Sequence, residues 1–123
     1  VFKGTVKNNK LPYYLNAADI FVLPTRSEGC CNAIVETLAC GLPIISSDLP
    51  FNHDVLNVEN SILINPDKIN EIADAINKLY SDHVLREMKA QKSLEMGGKL
   101  AIERRAYDII TFMHEKIQQR KKK

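Results

Sequence analysis

No run of about 20 apolar residues occurs in these 123 residues. Nothing in them therefore reads as a membrane-spanning segment, and no segment reads as a signal peptide. Cysteine is scarce: Cys30, Cys31 and Cys40 are an odd number with two adjacent. That argues against a disulfide framework and for a reducing compartment, so the expected location is cytoplasmic. The cysteines lack metal-site spacing and His53, His83 and His114 are scattered, so no metal is expected. Charge of one sign is also missing. Seventeen basic residues against fifteen acidic leave a net charge of +2, which excludes the basic footprint of a nucleic-acid binder. The basic excess sits in Arg120-Lys121-Lys122-Lys123, read as a solvated tail rather than as an attraction to an anionic membrane surface.

The informative stretch runs from Ser27 to Ile45. It sets two glutamates, Glu28 and Glu36, with seven residues between them. The apolar run Ile20-Phe21-Val22-Leu23 ahead of it reads as a buried strand ending at Pro24. Pro24 to Gly29 is a polar loop. From Asn32, Ile34, Val35 and Leu38 with small Ala33 and Ala39 suit a helix packed on a sheet. Gly41 fits the left-handed position just past a helix end, and Pro43 cannot continue a helix. Ile44-Ile45 begins the next strand. The loop thus falls where open α/β sheets bind ligands, at the carboxyl ends of the strands.

That loop favours an anion. A helix starting near Cys31 or Asn32 offers unpaired N–H groups and the positive end of its dipole, which suits phosphate. Gly29 lets the backbone approach a ligand closely. Glu36 lies one turn into the helix, and helical side chains tilt toward the N-terminus, so its carboxylate can lean over the loop. A carboxylate accepts well from vicinal hydroxyls. Glu28, on the loop, can do the same for a second polyol. A phosphate flanked by two hydroxyl-rich groups describes a sugar nucleotide. Cys30 and Cys31 at a helix start have the setting of reactive thiols, but no histidine stands in the same loop, and they read as ordinary loop residues.

The segments Pro24-Thr25-Arg26-Ser27-Glu28-Gly29 and Glu36-Thr37-Leu38-Ala39-Cys40-Gly41-Leu42-Pro43-Ile44-Ile45-Ser46 resemble the donor-binding core of retaining glycosyltransferases of family 4, the "group 1" transferases. Three further segments match in order: Val1-Phe2-Lys3-Gly4-Thr5-Val6, Leu11 to Ile20, and Glu59-Asn60-Ser61-Ile62-Leu63-Ile64, where Ser61 replaces the usual glycine of a turn. About the first 80 residues are covered. The resemblance implies a Rossmann-like α/β fold, a parallel sheet with flanking helices, forming part of the carboxyl-terminal domain of a GT-B glycosyltransferase. It implies transfer of a hexose from a UDP- or GDP-sugar to an acceptor hydroxyl with retention, in polysaccharide or glycolipid assembly. Glu28 is then the catalytic-site glutamate contacting the donor sugar, and Glu36 binds the ribose. The backbone around Gly29, Cys30, Cys31 and Asn32 holds the diphosphate. No cofactor is implied beyond the nucleotide sugar itself as substrate. Cys30-Cys31 departs from the family's usual Phe-Gly or Phe-Pro.

Strands are expected at about 1–6, 20–23, 43–46 and 61–64. Helices are expected at about 11–18, 32–40, 69–80, 83–92 and 99–119, with Asp67 available to cap the third. Short uninterrupted strands between helices imply a parallel sheet. Residues 1–123 are read as one partial sugar-nucleotide-binding domain, with 99–123 its last helix and basic tail. The family's two innermost strands, its basic pair for the diphosphate and its acceptor-binding amino-terminal domain are expected in a longer parent, peripheral at the inner face of the membrane, and the segment alone is expected to be inactive. An exposed sheet edge would let the first strand pair directly with Ile20–Leu23 or let two copies dimerise. The apolar stripe Ala101, Ile102, Ala106, Ile109, Ile110, Phe112, Met113 and Ile117 is expected to pack on the sheet or on the missing domain. His53 and Asp54 read as a surface loop, and Tyr13 and Tyr14 as packing and surface. The alternatives are a non-catalytic nucleotide-binding module and a self-associating one.

Overall fold

The apolar run at 20–23 becomes one edge of a sheet. In a computed structural model that describes residues 2–28 and 31–121, β1 (Phe21–Leu23), β2 (Ile44–Ser47) and β3 (Ser61–Ile64) lie in the order β1-β2-β3. Both pairings are parallel, with Phe21 beside Ile44 and Ile44 beside Ser61. The connections carry α1 (Leu11–Asn16), α2 (Asn32–Ala39), α3 (Ile69–Ser81) and α4 (His83–Lys99), and α5 (Ile102–Lys121) follows.

Side chains alternate across a strand, so neighbours Ile44 and Ile45 serve opposite faces. On one face Ile44 packs with Ile34 and Leu38 of α2 and with Leu56, joined by Met96 and Leu100 from the end of α4. On the other, Ile45 and Ile64 pack with Ala75 and Leu79 of α3, joined by Leu85 from the start of α4. The two faces together make a three-layer α/β/α arrangement. α2 stops as its sequence requires. Gly41 has φ +70, its N–H donates to the Leu38 carbonyl, and the Leu42 N–H reaches the Thr37 carbonyl. This is the paired-bond ending that a left-handed residue permits.

Four expectations are corrected. Residues 2–6 form no strand, and Val1 lies outside the described residues; among the described residues β1 has only β2 beside it, so the expected pairing of a first strand with Ile20–Leu23 is not formed. Gly4, at φ +66, turns the backbone out of the extended region within that segment. Next, α4 does not stop near 92 but runs to Lys99 through Gly97 and Gly98. Asp67 does not cap α3: Lys68 stands at the N-cap without a side-chain bond, and Asp67 instead pairs with Arg26. Lastly, the stripe on α5 does not pack on the sheet, since every residue from Ile102 to Arg120 is exposed.

Candidate functional site

Each strand delivers a loop to the same end of the sheet. After β1, the Leu23 carbonyl accepts from the Ser46 hydroxyl at 2.8 Å, and the Thr25 carbonyl accepts from the Ser47 hydroxyl. Asn52, buried in a 3-10 turn after β2, donates to Ser46 Oγ at 3.1 Å and to the Ser47 carbonyl at 2.8 Å. Farther out, Arg26 Nε meets Asp67 Oδ1 at 2.7 Å. Glu28 stands exposed on this loop. Gly29 and Cys30 lie outside the described residues.

α2 opens at Asn32. Its N-cap, Cys31, makes no side-chain capping bond; the Cys31 carbonyl accepts from the N–H groups of Ile34 and Val35. The first N–H groups of the helix are therefore not satisfied by a capping side chain, the state that suits an anion. The Cys31 side chain packs against the cluster of Ile34 and Leu38, which makes it a packing residue. Glu36 is exposed one turn in. With Asn8, Leu11, Pro12, Leu15 and Cys40 it lines a cavity of about 180 Å³ between α1 and α2. Burial, and then the Glu36 carboxylate, pushes the Cys40 thiol pKa up and away from reactivity. Among the described residues neither Glu28 nor Glu36 has an ion pair or a side-chain hydrogen bond. The structure thus puts Cys31, Asn32 and Glu36 on one helix end with Glu28 on the loop leading to it.

A larger cavity, about 560 Å³, opens at the carboxyl ends of β2 and β3 and is lined by Arg26, Asp48, Asn65, Asp67 and Glu71, among others. Of these, Arg26 belongs to the motif loop and Asp67 was expected as a helix cap, while Asp48, Asn65 and Glu71 carry no motif. The signal available was position: Asp48 and Asn65 are the first residues beyond β2 and β3, where α/β sheets hold ligands. The Glu71 carboxylate accepts from the Asn65 N–H at 2.8 Å; that bond, and then Lys68, lowers its pKa. His53 Nε2 lies 2.8 Å from Asp48 Oδ1, both exposed, so His53 is part of the surface loop beside this cavity. Tyr13 and Tyr14 are exposed, and Leu15 is the buried residue of α1. Among the described residues no cluster of three His, Cys, Asp or Glu could hold a metal ion, and no helix is long and apolar enough to cross a membrane.

Residues 1–82 match the family described as glycosyl transferases group 1. The chain belongs to that family. TuaC of Bacillus subtilis (strain 168), a glycosyltransferase named for teichuronic acid biosynthesis, is 32% identical over 84 residues, 68% of this chain and 22% of the relative. The UDP-Gal:alpha-D-GlcNAc-diphosphoundecaprenol alpha-1,3-galactosyltransferase of Escherichia coli is 36% identical over 81 residues, 65% of this chain and 21% of the relative. The chain thus spans about a fifth of the length of these curated relatives. Among solved structures, the carboxyl-terminal domain of the group 1 glycosyltransferase LpcC from Francisella tularensis superposes with a TM-score of 0.68 at 26% identity, over 77% of this chain and 49% of that one. Sucrose-phosphate synthase from Thermosynechococcus elongatus superposes with a TM-score of 0.78 over 98% of this chain and 29% of that one; at 23% identity this likeness is one of fold alone. The fold of this group 1 chain is that of GT-B carboxyl-terminal domains.

Proposed function

We propose that this chain is the donor-binding part of a retaining glycosyltransferase that moves a sugar from a UDP- or GDP-sugar to an acceptor hydroxyl in polysaccharide or glycolipid assembly. The observation that carries this reading is the α2 terminus: a helix start without a side-chain cap at Cys31, following the Glu28 loop and followed one turn later by Glu36. The backbone at Cys31 and Asn32 would hold the diphosphate, with Gly29 and Cys30 completing the loop. Donors aimed at a leaving group are often the largest single contribution to catalysis. Glu36 would accept from the ribose hydroxyls and Glu28 from the donor sugar. The relatives named for teichuronic acid and for a diphosphoundecaprenol-linked acceptor support the polysaccharide and glycolipid setting. In this reading the acceptor and the remaining diphosphate contacts come from other parts of the enzyme, which acts in the cytoplasm at the inner membrane face.

Titration of the chain with UDP, GDP and their hexose conjugates, followed by amide NMR, tests this. Shifts are expected at 25–28 and 31–36, with millimolar affinity because one helix end and two carboxylates supply few contacts. Shifts confined to α5 would overturn it.

A further inference from the structure

The geometry points to Asn52, Ser46 and Ser47 as positioning residues that fix the loop carrying Glu28 from behind; this rests on the reading of Glu28 as a ligand of the donor sugar. β1 is three residues long and its pairing ends with Leu23 beside Ser46. Beyond that point the strand ladder holds nothing, yet the next carbonyls are tied. Ser46 Oγ donates to the Leu23 carbonyl and Ser47 Oγ to that of Thr25. Ser46, Ser47 and Asn52 are each at most 1% exposed. Buried hydroxyls and amides beside Ile44 and Ile45 are costly unless bonded, and an apolar strand end would avoid that cost. Here all three are bonded. Ser46 has one hydroxyl proton, committed to Leu23, so its oxygen is free to accept from Asn52. The second tie of Asn52, to the Ser47 carbonyl, sets the backbone from which Ser47 reaches the loop.

Nothing else described holds this loop as firmly. The Thr25 hydroxyl is buried without a partner, and the Arg26–Asp67 pair is 78% and 64% exposed, where ion pairs contribute little. Glu36, by contrast, rides on α2, which is seated by Ile34 and Leu38, and needs no help from the serines. Loss of the serine bonds should therefore loosen Glu28 and spare nucleotide binding.

The test uses the full-length protein with Ser47→Ala, Glu28→Ala, the double variant, and Ile45→Val as a control that weakens the same strand without touching the loop. Turnover is read with UDP-glucose, UDP-galactose and GDP-mannose, binding with free UDP and GDP, and loop order by amide hydrogen exchange. Ser47→Ala is expected to lower turnover about tenfold and to keep free-nucleotide affinity within about twofold, as loss of positioning rather than of uniform binding requires. Exchange at Arg26, Ser27 and Glu28 should speed up while α3 is unchanged, and the double variant should be no slower than Glu28→Ala alone. Ile45→Val should turn over normally. Normal turnover in Ser47→Ala beside a deficient Glu28→Ala overturns the positioning role alone. Normal turnover in Glu28→Ala overturns the reading of that residue and the inference with it. Should none of the three donors be used, unchanged loop exchange in Ser47→Ala overturns the inference, and Ser47→Cys replaces Ser47→Ala if the latter does not fold.

Discussion

An alanine at Gly97 would place its Cβ 2.7 Å from the backbone N and Cα of Ala39, a clash no side-chain rotation relieves. α4 would have to lift from α2 and draw Met96 away from Ile34 and Leu38. Overpacking of this kind costs about 1–3 kcal/mol, so Gly97→Ala is expected to lower the melting temperature, read by circular dichroism, by at least about 4 °C. Gly98→Ala meets nothing within 4 Å and gains helix propensity, so it should not destabilise; equal losses at both glycines would contradict the close approach. Earlier in the same helix, the buried ammonium of Lys89 donates to the Val58 carbonyl at 2.6 Å and the Ser61 carbonyl at 2.9 Å. Ser61, the first residue of β3, itself donates to the Asn57 carbonyl. Lys89→Met strands the buried Ser61 carbonyl and the part-buried Val58 carbonyl and should cost about 1–3 kcal/mol. Burial, and then the charge of Lys78, pushes the Lys89 pKa down. The unfolded chain consequently holds this proton more tightly. Between the lowered folded value and the ordinary one near ~10.4, stability should rise with pH. Urea unfolding from about pH 8 to about 10.5 should show the wild type gaining on Lys89→Met; a narrowing gap would contradict the sign.

At the scale of elements, the signals that succeeded were local. β1, β2 and the end of α2 were legible because Pro24, Gly41 and Pro43 bound the apolar runs, and the parallel pairing followed from the helices between strands. What failed depended on neighbours. The 1–6 segment has strand composition, but a strand exists only by pairing, and among the described residues β2 alone lies beside β1. Glycine disfavours a helix interior, while the packing of α4 on α2 leaves no room for a Cβ at Gly97 and carries the helix past 92 to Lys99. The proposed site residues Glu28, Cys31, Asn32 and Glu36 stand out in the sequence as a motif. Ser46, Ser47 and Asn52 were not, since their reach to residues 23 and 25 is a tertiary fact. Periodicity located the apolar side of α5 without saying what covers it. Because α5 is exposed from Ile102 to Arg120, deleting 102–121 is expected to remove helical ellipticity and to leave the melting temperature of the rest within about 1 °C, less than the shift that losing even ~1 kcal/mol would give. A larger fall would show that α5 packs on the body in solution.

Two features of the molecule could bring copies together, and they make different predictions. Among the described residues no strand lies beyond β1, which leaves a row of its backbone groups open, next to Val22, which is 38% exposed. Unpaired apolar edges are templates for another chain, and proteins block them with lysine. The second feature is α5, whose Ile102, Ile109, Ile110, Phe112, Met113 and Ile117 are all exposed. A sheet edge offers directional hydrogen bonds as well as apolar area, whereas a single exposed helix offers area alone, and its polar side mixes Arg104, Asp108 and Glu115. Edge pairing should therefore dominate. Sedimentation equilibrium of the 123-residue chain at micromolar concentration is expected to show a dimer that survives deletion of 102–121 and is lost in Val22→Lys. Loss of the dimer on deleting α5, with Val22→Lys still dimeric, would assign association to the helix. A monomer throughout would mean that three residues of open edge are too short to recruit a partner.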